Sequence, residues 1–101
     1  MTLPLTETAF QQRIIDYSKL MGWMCMHTRP AKTDRGWRTP LQGHAGFVDL
    51  VLARRSMVWF FEVKSETGRV AVAQTKWMAA LGPRARVVRP SNWEWIQEVL
   101  R

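Results

Sequence analysis

Apolar residues first recur at helical spacing. Phe10, Ile14, Tyr17 and Met21 fall at i, i+4, i+7 and i+11, one stripe of a helix that faces a core. Thr6 is suited to an N-cap and Glu7 to the first turn, so the pattern predicts a helix from Glu7 to about Met21, stopped at Gly22. Trp23 to Thr28 predicts a strand. The segment from Arg29 to Gly46 loses the apolar periodicity and predicts a long loop. Asp49–Ala53 and Met57–Lys64 predict two further strands separated by Arg54-Arg55-Ser56. The second is almost continuously apolar from Met57 to Val63, as in a central strand covered on both faces. Val72–Leu81 predicts a helix closed by Gly82-Pro83, and Ala85–Arg89 a strand. Ser91-Asn92-Trp93-Glu94 has the form of a capping box opening a last helix to about Leu100. On that helix Trp93 and Trp95 alternate, which places one of them away from the core, at a subunit interface. The order α-β-β-β-α-β-α predicts an α/β fold with a central mixed β-sheet flanked by helices.

Three charged residues interrupt the apolar strands: Asp49, Glu62 and Lys64. If Arg55 and Ser56 form a two-residue loop, Arg54 pairs with Met57, Ala53 with Val58, and Asp49 with Glu62. Directly paired residues share one face of the sheet, and Lys64, two positions on, shares it too. Two carboxylates so close repel unless a cation lies between them. Mg²⁺ prefers oxygen ligands, commonly one or two carboxylates with water and substrate phosphate. Arg-Ser is not the Asn-Gly or Asp-Gly of a tight hairpin. A longer loop or a bulge would shift the register, and a slip of one residue would send Asp49 to the opposite face.

Composition narrows the class. The chain has 101 residues, of which 47% are hydrophobic and six are Trp, the profile of one globular domain over residues 1–101. Its single cysteine, Cys25, excludes an internal disulfide and a Cys-rich zinc site. With no apolar run long enough for a membrane span and no signal-peptide pattern, the sequence reads as a soluble cytoplasmic protein.

The formal charge of +7 points to an anionic partner, most often nucleic acid. Arg outnumbers Lys, which favours bidentate phosphate contacts. Arg29, Lys32, Arg35 and Arg38 interleave with Trp37, a pattern suited to a nucleic-acid backbone with one stacking contact. A solvated loop whose Trp packs back on the core is the plainer alternative. His44 and Arg69 complete the candidate DNA contacts. Plainer readings exist for the acids as well. Glu62 and Lys64 can form a surface pair, Asp49 can cap a turn, and Glu7 favours the helix dipole where it stands.

Gly46-x-x-Asp49-Leu50, then Glu62-x-Lys64, then Gln74 on the following helix, resembles the PD-(D/E)XK nuclease superfamily. Glu7 on the first helix and the compact length are similar to its VRR-NUC branch, the virus-type replication-repair nucleases. Val48 stands where the family usually has proline. The resemblance implies a PD-(D/E)XK-like fold and a Mg²⁺- or Mn²⁺-dependent DNA endonuclease acting on branched substrates such as four-way junctions. Asp49 and Glu62 would be metal ligands, with the Val63 carbonyl and Glu7 contributing to the same site. Lys64 would orient or help deprotonate the attacking water, and Gln74 would steady Lys64 or that water. The family also implies a homodimer, and its compact form a phage or bacterial host. The competing class is a basic nucleic-acid-binding module that keeps such a fold without catalysis.

Overall fold

The computed structural model describes residues 5–28, 31–33, 36–38 and 42–101, with the main chain alone for 31–33 and 36–38. The elements are α1 (Glu7–Leu20), β1 (Met24–His27), β2 (Ala31–Thr33), β3 (Gly36–Arg38), β4 (Leu50–Arg54), β5 (Met57–Val63), α2 (Val72–Leu81), β6 (Ala85–Val88), a 3₁₀ turn (Pro90–Asn92) and α3 (Trp93–Leu100). With the ribbon β2–β3 set aside, this is the order the pattern predicts. The ribbon itself is a correction, because part of the expected loop pairs antiparallel, with Lys32 opposite Trp37 and Ala31 opposite Arg38.

The main sheet runs β1-β4-β5-β6. β1 and β5 lie antiparallel to β4, and β6 lies parallel to β5. A parallel neighbour requires a crossover, and α2 supplies it. β5 is therefore an interior strand, as its unbroken apolar run requires.

The hairpin takes the expected register. Arg54 pairs with Met57, Ala53 with Val58 and Leu50 with Phe61. Arg55 and Ser56 carry positive φ angles of 51° and 67°. Positive φ at both central residues is the signature of the type I′ turn, whose twist matches that of the strands. The turn forms with side chains that disfavour it, so strand pairing overrides local preference.

Alternation divides the sheet into two different faces. Leu50, Leu52, Trp59, Phe61 and Val63 join Phe10 and Ile14 of α1 and Ile96 and Leu100 of α3 in the buried core. Burial of these side chains is the main source of stability. Arg54 fastens the end of this layer. Its guanidinium donates to the carbonyls of Met21, Leu100 and Arg101 and lies over the Trp23 ring, while Trp23 Nε1 donates to the Leu100 carbonyl at 2.8 Å. The opposite face, with Phe60 and Glu62, looks towards α2 and is packed more thinly. Phe47 bridges Phe60 and Trp77 by edge-on ring contacts, and none of the α2 residues is buried.

Two further expectations change at the C-terminus. Both Trp93 and Trp95 pack against the core. The first meets Tyr17 of α1 and the second meets Trp59, so neither requires a subunit interface. The Ser91–Glu94 capping box does not form. Asn92 Oδ1 instead accepts the Arg89 amide at 2.8 Å, and the Ser91 amide donates to Glu66 Oε2 at 3.0 Å. Among the described residues no helix is long and apolar enough to cross a membrane.

Candidate metal centre

Asp49 sits one residue before β4, on the approach Gly46-Phe47-Val48. Gly46 has φ +92°, and a Cβ built there would lie 2.7 Å from Ala73 Cβ and 2.8 Å from its carbonyl carbon. Only glycine allows the loop to come this close to α2. Trp77 Nε1 holds the same loop by donating to the carbonyls of Ala45 and His44 at 3.1 and 3.3 Å. Val48, 3% exposed, anchors the loop from the core side, so a buried apolar side chain steadies the approach where proline would have stiffened it.

Counting back from the turn, Asp49 and Glu62 fall on a non-hydrogen-bonded pair, the kind in which side chains approach most closely. The ladder ends there because the Asp49 carboxylate replaces the main chain as acceptor. Its Oδ2 takes the Val63 amide at 2.8 Å.

Glu62 is 1% exposed. Its Oε2 accepts from Gln74 Nε2 at 2.9 Å and lies 3.4 Å from Lys64 Nζ. Its Oε1 is buried without a hydrogen-bond partner. Burial, and then the neighbouring Asp49 carboxyl, push the Glu62 carboxyl up to about 8, although the Lys64 ammonium pulls the other way. A buried acid beside a second acid resists ionisation for both reasons. An unsatisfied buried oxygen is costly and calls for a ligand or a proton.

Gln74 is held from both ends. Its Oε1 accepts the Ala71 amide at 2.8 Å, which fixes the amide so that Nε2 points at Glu62. One residue thus satisfies an orphan donor at the start of α2 and reaches across to β5. Lys64 is set by the segment after it. Its amide donates to the Val88 carbonyl at 3.0 Å. Arg89 Nη1 donates to the carbonyls of Ser65 and Gly68 at 2.8 Å and of Glu66 at 3.3 Å.

Asp49, Glu62, Lys64 and Gln74 are therefore brought together, and Val63 adjoins them through its main chain. Glu7 is not. It is exposed in the first turn of α1, and α1 packs on the Leu50–Phe61 face, opposite the acids. Among the described residues no three acidic, His or Cys side chains gather as a metal-holding group. Gln11, one turn on from Glu7, bonds His27 at Nε2 over 2.8 Å, another contact on the far side of the sheet. Of the candidate DNA contacts, His44 and Arg69 are exposed. Lys32 and Arg38 lie on the paired ribbon, and Arg29 and Arg35 lie outside the described residues.

Sequence reasoning missed Arg89 and the closeness of Gly46 to Ala73. An Arg at the end of a strand carries no signal that it will gather three distant carbonyls. The glycine did carry a signal, since it opens the segment that delivers Asp49.

The chain matches no protein-family model and none of the curated proteins compared with it.

The residues present fit a hard divalent cation. Two adjacent carboxylates, one with an unpartnered buried oxygen, offer the donor chemistry Mg²⁺ or Mn²⁺ prefers. The Lys64 ammonium adds a positive donor that cannot compete as a ligand.

Proposed function

We propose that this protein is a metal-dependent DNA endonuclease of the PD-(D/E)XK type, close to the VRR-NUC branch, acting on branched DNA such as four-way junctions. The observation that carries the reading is the buried Glu62 carboxylate. It accepts from Gln74 at 2.9 Å, lies 3.4 Å from the Lys64 ammonium, and stands against the Asp49 carboxyl, with which it forms a hydrogen bond when protonated. A core has no use for such a group, whereas a cation site does. The net charge of +7 supports an anionic polymer as substrate.

Asp49 and Glu62 would hold Mg²⁺ or Mn²⁺, with the Val63 carbonyl as a further oxygen donor. When bound, the cation neutralises charge developing on the phosphate and acidifies water for attack. Lys64, its ammonium 3.4 Å from Glu62, would orient the attacking water and offset negative charge on the phosphate. Gln74 keeps Glu62 aimed, and Arg89 keeps the segment after Lys64 in place. Hydrolysis forms one P–O bond to water and breaks one P–O bond of the backbone. A homodimer would present two such sites to a two-fold junction.

Incubating labelled four-way junction, flap and linear duplex with Mg²⁺ or Mn²⁺, and in parallel with EDTA, tests the reading. Cutting is expected only with metal. Asp49→Ala and Lys64→Ala are expected to abolish it while DNA binding survives. Firm binding with no cleavage of any substrate by the wild-type chain would instead leave a nucleic-acid-binding module.

A further inference from the structure

The face of α2 turned away from Glu62 forms part of an apolar groove of about 540 Å³, open to solvent, with His44, Val72, Ala73, Lys76, Trp77 and Ala80 in its lining. Val72, Ala73, Lys76, Trp77 and Ala80 fall at i, i+1, i+4, i+5 and i+8, on one side of the helix. Val72 is 73% exposed. The elements that wall the groove also carry the acid pair and its partner, on other positions. Ala73 meets Gly46, three residues before Asp49, and precedes Gln74, which bonds Glu62. Among the described lining residues the one formal charge belongs to Lys76 and is positive.

We propose that this groove takes an unpaired nucleotide of the DNA substrate. The inference rests on the nuclease reading and specifies its substrate. Three features select this occupant. The cavity lies within the size range of small-ligand sites. An indole and an imidazole beside apolar walls suit the flat faces of a base, and any base is tolerated because every base has such a face. Lys76 supplies the cation for the phosphate that accompanies that base. A fully paired duplex keeps its bases stacked inside and gains nothing from the groove. A junction arm, flap or overhang gains a stacking contact.

Fluorescence anisotropy in EDTA, where no strand is cut, measures this apart from catalysis. The probes are a labelled blunt duplex and the same duplex with a short single-stranded overhang. The wild-type chain is expected to bind the overhang probe about tenfold more tightly, the scale of one base–aromatic stack. Val72→Asn and Lys76→Gln change exposed positions, and their folding is checked by thermal melting. Both are expected to reduce the preference towards parity, with blunt-duplex affinity changed by less than about threefold in Val72→Asn, which removes no charge. Equal wild-type affinity for the two probes would overturn the proposal. So would variants that lose both probes in parallel, or that alter only sedimentation and so mark the groove as a contact between two copies of the chain. An overhang preference in a chain that cuts nothing would sink the nuclease reading and leave the groove standing. Cleavage without the preference would do the reverse.

Discussion

Gln74 donates from Nε2 to Glu62 Oε2 at 2.9 Å while its Oε1 accepts the Ala71 amide at 2.8 Å. The start of α2 and the buried end of β5 are thereby joined through one carboxamide. Replacing Gln74 with Leu removes both bonds and leaves Lys64 and Asp49 beside Glu62. Stability should fall by about 1–2 kcal/mol, read from urea midpoints. Metal-dependent cleavage should fall by about 10- to 100-fold, the usual effect of losing a group that orients a metal ligand.

Glu62 gives the metal-free chain a distinctive pH response. Its carboxyl is raised from 4.5 to about 8, so between those values the folded chain holds a proton that the unfolded chain releases. The stabilisation is complete below about pH 4.5 and is lost as pH rises through 8. In EDTA the melting temperature should decline across this window, and Glu62→Gln should flatten the decline. On the proposed metal reading, a cation needs the ionised pair, so its binding would release a proton. Mn²⁺ affinity measured by calorimetry should strengthen from pH 6 to pH 8.

Gly46 tests how the loop delivers Asp49. Alanine there meets Ala73 at 2.7 Å in a left-handed backbone conformation. Gly46→Ala should cost about 1–3 kcal/mol and lower cleavage more than DNA binding. Ala73→Gly in the same chain removes the nearest obstructing carbon and should recover part of the loss.

The turn gives a gain instead. Arg55 and Ser56 both occupy the left-handed region, which costs a side-chain-bearing residue about 1–2 kcal/mol. Replacing the pair with Asn-Gly should raise the melting temperature by roughly 4–8 °C for each kcal/mol recovered without altering cleavage.

Much of this was legible in the sequence because periodicity and burial agree. The α1 stripe, the apolar run of β5 and the Gly82 stop each placed an element within a residue or two of its observed bounds. The hairpin register followed from pairing arithmetic, even though Arg-Ser is a poor turn, because one slipped residue would have turned every core side chain of β4 outward. The closeness of Asp49 to Glu62, and of Lys64 to Glu62, followed from the same arithmetic, although the strand pairing itself stops at Leu50 and Phe61. What the pattern could not supply was tertiary. Thr6 caps α1 as the sequence suggests, which accounts for Glu7 beside it but not for which face α1 would cover. The ribbon at Ala31–Arg38 has polar positions and a single Trp, too little alternation to signal strands. Ser91 and Asn92 were drawn from a capping box into bonds with Glu66 and Arg89, partners distant in sequence or on the wrong side of the cap.

The central claim is that Asp49 and Glu62 share a hard cation. Crystals soaked in Mn²⁺ and measured at the manganese absorption edge test it most directly. The account predicts one anomalous peak between the two carboxylates, about 2.0–2.3 Å from an oxygen of each, and absent from Glu62→Gln crystals. Clean density for both side chains with no peak between them, at pH above 8 and saturating Mn²⁺, would contradict it.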